Sequence, residues 1–232
     1  MLHRVDMKRI AGPLVLIVLA SLSFGADETY SLNQVRHVGD TETFHQVLDA
    51  PGVVVIRYES TDSRKVTKVD EYGNYTIEET TLSGFRNFGG KVEQFPKGVP
   101  NLLNFNARGC TILDPQPANA EFVAVNELAL HLGEYVPTHA KKIGDTWIHG
   151  TEIASVTCTL VGPEKVGKID CFKISMTVTL HKKRYPGSAK ATIFLRANDF
   201  SLEKMDAMVE GASYTSDLPM KMNKNHITVD RL

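Results

Sequence analysis

The chain has 232 residues, 42% hydrophobic and 23% charged, which supplies enough apolar material for a core and sets it apart from disordered chains. A formal net charge of -1 excludes a main role that depends on neutralising nucleic-acid phosphates. The length admits one large β domain or two small ones.

The chain begins like an exported protein. Met7-Lys8-Arg9 is basic, and residues 10–22 form an apolar run too short for a bilayer but right for the core of a signal peptide. Ser23 and Gly25 put small residues at the first and third positions before a cut, so cleavage is expected after Gly25. No Cys follows the run to take a lipid, and no later stretch is long and apolar enough to span a membrane. Residues 1–25 therefore read as a signal peptide. Residues 26–232 read as a single β domain, periplasmic or secreted, in three parts. These are a first half over 26–95, a connector with a helix over 96–136, and a second half over 137–232.

The first half predicts a strand over 29–38 that ends in the turn Gly39-Asp40. Further strands are expected over 43–48, 53–58 and 64–70. The stretch Val53 to Tyr58 is dense in β-branched residues and gives the strongest signal. Asp70 to Asn74 reads as a hairpin turn, and a strand over 75–82 returns from it. Ser83-Gly84 and Gly89-Gly90 read as further turns, with a short strand over 92–95. Prolines 96, 100, 115 and 117 make the next stretch a connector, because proline denies the ladder a donor. Asn119 then caps a helix predicted over 120–132, with Phe122, Val125, Leu128 and Leu132 on its apolar stripe and Gly133 closing it.

The second half repeats a signature of the first. Lys141-Lys142-Ile143-Gly144-Asp145-Thr146 echoes Arg36-His37-Val38-Gly39-Asp40-Thr41. Gly allows a positive φ, Asp bonds its own backbone, and Thr opens the next strand. Strands are expected over 153–161 and 169–180, then 189–197, 202–210 and 223–231. Both members of the first pair carry their apolar residues at even positions. That hairpin therefore needs an odd loop or a bulge, for which Gly167 is suited. The fold class is all-β with one connecting helix. The architecture is an antiparallel partly open barrel or sandwich built of two related halves.

Residues that could carry chemistry are few. Asp40 and Asp145 could pair as catalytic carboxylates, but turn capping explains both. The eight histidines show no ligand spacing, and Cys-x-x-Cys is absent, so no metal site and no cofactor are expected. Neither a Gly-x-Ser-x-Gly elbow nor a phosphate loop occurs. Of the three cysteines, Cys158 takes the core parity and Cys171 the solvent parity, so a bridge between them would have to cross the sheet. Cys110, in the connector, has no nearby His to activate it. Lys182-Lys183-Arg184 is a basic turn of the kind normally solvated, and Asn74-Tyr75-Thr76 fits a glycosylation acceptor. Met205, Met208, Met220 and Met222 concentrate soft side chains late in the chain. An apolar guest would meet Trp147, Phe122, Met205 and Met208.

Lys142-Ile143-Gly144-Asp145-Thr146-Trp147, followed by Cys158-Thr159-Leu160-Val161-Gly162 and Phe172-Lys173-Ile174, resembles the C-terminal half of exported β proteins of the periplasmic lipoprotein-carrier type. The resemblance covers residues 140–232. It implies an unclosed barrel whose apolar groove binds acyl chains beneath helices. This chain departs from it in having one clear helix, and no binding residue carries over.

Three functions are ranked on these grounds. The first is an exported, non-enzymatic binding protein holding a lipid or apolar small molecule in a β cavity. The second is a structural or interaction module with a protein partner in the cell envelope. The third is a hydrolase assembled from distant residues.

Overall fold

A computed structural model describes residues 28–51, 55–109, 133–150, 154–181, 187–210 and 224–232. The expected signal peptide, the helix over 120–132 with Phe122, Cys110, the basic turn at 182–184, Met220 and Met222 all lie outside the described residues. Among the described residues no helix is long and apolar enough to cross a membrane.

Among the described residues eleven strands make one antiparallel sheet. They are β1 (Thr41–Ala50), β2 (Ile56–Val69), β3 (Tyr75–Phe88), β4 (Lys91–Gln94), β5 (Pro100–Phe105), β6 (Thr146–Gly150), β7 (Ala154–Val166), β8 (Ile169–Leu180), β9 (Gly187–Arg196), β10 (Leu202–Glu210) and β11 (Lys224–Arg231). Their order is β4-β3-β2-β1-β11-β10-β9-β8-β7-β6, with β5 also on β3. The expected all-β antiparallel fold is thus observed as a single unclosed sheet. The halves join where the last strand, β11, pairs with β1.

Several expected elements take a different form. Residues 29–38 are not a ladder strand. Tyr30 makes one isolated bridge to Lys141, and Leu32 is buried in the core, so this segment crosses the sheet instead of extending it. The two strands expected over 53–58 and 64–70 are one continuous β2. No turn occurs at Ser83-Gly84, because Gly84 lies inside β3. A Cβ there would meet the Glu59 carbonyl at 2.6 Å and the Phe95 ring at 2.8 Å, so Gly84 is needed for close approach and not for turning. The proline-rich connector contains β5. Pro100 occupies its first position, where a missing donor costs the ladder nothing.

The second half is packed solid. The inward positions of β7, β8, β9 and β10 alternate with outward ones, and Leu160, Ile174, Ile193 and Leu195 are fully buried. Each such side chain contributes about 1.5–3 kcal/mol by leaving water. The crossing segment covers them: Leu32 joins this core, and the Tyr30 ring lies 4.5 Å from that of Phe172. The bulge needed by the β7–β8 hairpin sits between Leu160 and Gly162, and Gly167 (φ 59°) occupies the turn itself. Cys158 faces this core, where burial pushes its thiol up to about 12. Cys171 takes the opposite face, across from Arg196, and neither cysteine is bridged. Cys171 is nevertheless buried and not in solvent as its parity suggested. The ion pair Arg196–Glu203, 2.6 Å long, stands on its side of the sheet.

The two Gly-Asp turns are the same structure. Asp40 accepts from the His37 amide and donates its own amide to the His37 carbonyl; Asp145 does both with Lys142. Gly39 donates to Val66, which donates back to Asp40; Gly144 and Leu160 do the same with Asp145. The equivalence continues beyond the turns. The bulge after Val66 in β2 matches the bulge after Leu160 in β7. Val66 pairs with Ile77 as Leu160 pairs with Ile174.

Candidate functional site

The shared register allows the inner faces of the halves to be compared row by row. In the second half Trp147, Cys158 and Met176 lie side by side on β6, β7 and β8. The corresponding row on β1, β2 and β3 is Glu42, Arg64 and Glu79. One row further, Val156 and Val178 correspond to Asp62 and Thr81. Apolar rows therefore suit this geometry, yet the first half carries charge in them. Burying charge costs several kcal/mol per ion before pairing, so such positions reduce stability and mark a site.

A cavity of about 270 Å³ opens at this place. Phe44, Ile77, Leu103, Phe105, Leu202 and Met205 form its apolar wall. Tyr75 and Tyr135 also face it, and burial raises both phenols above their ordinary range. Phe200 stands at its rim with φ 55°, a left-handed conformation that costs a bulky residue about 1–3 kcal/mol. Stacking on Phe172, with centroids 5.8 Å apart, helps hold Phe200 there.

The polar wall is a connected network. Glu42 is 8% exposed and receives Arg36 at 2.8 Å, Arg231 at 3.2 Å and Gln34 at 3.4 Å. Arg231 also donates to the Ser201 hydroxyl at 2.7 Å, and Ser201 donates to Asp199 at 2.6 Å. Burial works against the Asp199 carboxylate, but the hydrogen bonds from Ser201 outweigh it and hold its pKa below the ordinary value. Burial likewise works against Arg36; the Glu42 charge overcomes it and holds the guanidinium firmly protonated. The Arg36 guanidinium stands 5.5 Å from the Tyr75 ring centre, and its Nε is buried without a hydrogen-bond partner among the described residues. Arg64 donates to Glu79 at 2.6 Å and stands 4.9 Å from the Phe44 ring centre. Arg108 approaches His149 Nδ1 at 3.4 Å, while Nε2 of that ring reaches the Val136 carbonyl at 3.2 Å. Burial, and then the Arg108 charge, lower the His149 pKa. A neutral ring that donates from Nε2 and accepts from Arg108 at Nδ1 satisfies both contacts.

The four residues expected to meet a guest are scattered. Met205 lines the cavity. Trp147 is 6% exposed and packs in the second-half core, with the Lys141 ammonium 5.9 Å from its ring centre. Met208 lies on the opposite face of β10 from Met205 and is exposed. Phe122 is outside the described residues. Arg36, Glu42, Arg64 and Arg108 are residues that sequence reasoning missed. For Glu42 and Arg64 the signal was polar character at inward parity: Glu42 is in phase with Phe44, and Ser60, Asp62 and Arg64 are in phase with Val66.

Among the described residues, those lining the cavity include no Ser, Thr, Cys, His or Asp. Asp40 and Asp145 each cap their own turn. Among the described residues no cluster of His, Cys, Asp and Glu could hold a metal ion. The arrangement offers an apolar wall beside fixed guanidiniums, which is chemistry for holding a molecule. No known protein family matches the chain, and no curated protein matches it either.

Proposed function

We propose that this is an exported binding protein that holds an apolar-bodied small molecule in the cavity of its first half. The observation that carries this reading is the contrast between the halves. The same strand geometry is filled solid around Ile174 and Ile193 but left hollow beside Phe44 and Ile77. The hydrophobic lining with a few convergent polar groups is the usual composition of a small-molecule site. Export is supported by the basic start and apolar run within residues 1–25.

Titration of the purified protein with Nile red tests the proposal. Saturable emission enhancement is expected. It is expected to weaken at least about tenfold when Met205→Trp fills the cavity, and to survive Met208→Trp on the opposite face. Equal loss with both variants, or no saturable signal, would contradict it.

A role as an interaction module has one observation in its favour. Phe88, Val92, Val99 and Leu102 are all more than half exposed, on or beside the strands at the β4–β5 edge. Concentration-dependent association lost on Leu102→Lys and Val92→Lys would support that second role.

A further inference from the structure

Among the described lining residues three guanidiniums, Arg36, Arg64 and Arg108, face the cavity against one carboxylate, Glu42. The chain as a whole carries a net charge of -1, so this local excess of positive charge is not inherited from composition. Glu42 is already shared between Arg36 and Arg231. Arg64 is matched by Glu79, which lies outside the cavity wall. Arg108 leans on the His149 ring and has no ion pair among the described residues. The Arg36 Nε proton is buried with no acceptor among the described residues.

Resting on the binding function proposed above, we infer that the guest is a single-chain amphiphile with a compact anionic head, carboxylate or phosphate, received by Arg36, Arg64 and Arg108. Its chain lies along Phe44, Ile77 and Leu103. Guanidinium forks match carboxylate and phosphate oxygens, and a partly dry wall strengthens such bonds. A neutral amphiphile leaves the forks unmatched, and a cationic one meets like charge. A volume of about 270 Å³ is on the scale of a small-molecule site. The row comparison shows where the charged groups were placed. Where the second half has Cys158 and Met176, the first half has Arg64 and Glu79, so charge was placed beside the hollow and not beside the filled core.

Competition against bound Nile red, on the full mature chain and below the aggregation concentration of each probe, tests this inference. The probes are dodecanoate, dodecyl phosphate, dodecanol, dodecyltrimethylammonium and inorganic phosphate. Dodecanoate and dodecyl phosphate are expected to compete at least about tenfold more tightly than dodecanol, with little competition from the cationic probe or from phosphate alone. Arg108→Gln, on a partly exposed loop, is expected to weaken both anionic probes and leave dodecanol unchanged. Arg86→Gln, in an exposed pair with Glu93, is expected to change nothing. If dodecanol competes as well as dodecanoate, or Arg108→Gln weakens all probes equally, the anionic-head inference fails while the cavity reading stands. If phosphate alone competes as well as dodecyl phosphate, the chain plays no part and the inference fails. If Nile red itself does not bind, the cavity reading fails first.

Discussion

Glu42 is the residue on which the polar wall balances. Its carboxylate holds two guanidiniums from distant parts of the chain, Arg36 before β1 and Arg231 at the end of β11. Glu42→Gln keeps the shape and removes the charge, leaving two buried cations facing each other. Breaking a buried pair from one side costs about 3–5 kcal/mol, so urea unfolding should show a loss of about that size. A loss below about 1 kcal/mol would mean that the network is solvated and contributes little. The sequence offered a partial clue to this residue. Glu42 stands at the same parity as Phe44, which is visible in the string, but Arg231 is its neighbour only because β11 closes on β1. That pairing spans nearly the whole chain, and no local pattern announces it. Arg36 was hidden for a different reason: its segment has the alternation of a strand, but crosses the sheet through Tyr30 and Leu32.

The Gly-Asp turn is the element most fully legible beforehand, because its residues fix its geometry. Gly39 and Gly144 sit at φ 98° and 90°, and an added Cβ at either would find nothing within 4 Å. The cost of Ala at each is therefore backbone strain alone, about 1–2 kcal/mol. Gly39→Ala and Gly144→Ala should lower stability by equal amounts, and the double variant should show the sum to within about 0.5 kcal/mol. Thermal or urea unfolding of the three variants checks this; a cost at one turn and none at the other would break the equivalence. Long strands were less legible than turns. β2 and β3 each run for 14 residues, yet the sequence divided their span at places where Gly84 and several polar side chains imitate punctuation. Gly84 is there because β2 and Phe95 come close, a demand set by tertiary packing. The proline-rich connector misled in the opposite direction, since an edge strand such as β5 tolerates Pro100 at its start.

At the scale of the whole molecule, a single sheet carries two inner faces of matched register and opposite character. The second-half face is a filled apolar core sealed by Leu32 and the Tyr30 ring. The first-half face keeps a hollow of about 270 Å³ and lines it with guanidiniums. Both conditions arise in matched register up to the shared bulge, and the halves differ there in their side chains. The all-β class, the duplication and the idea of a hollow were accessible from strand spacing and the repeated turn. Which half is hollow was not: Trp147 packs in the solid half, Met208 lies on the outer face, and Met205 alone of the named residues reaches the hollow. Native mass spectrometry of residues 26–232, purified without detergent and then incubated with a mixture of single-chain amphiphiles, measures the central claim most directly. The account predicts one bound amphiphile per chain, released by organic solvent and displaced in the Met205→Trp variant. A bare polypeptide under every loading condition, or several amphiphiles bound alike by wild type and Met205→Trp, would contradict it.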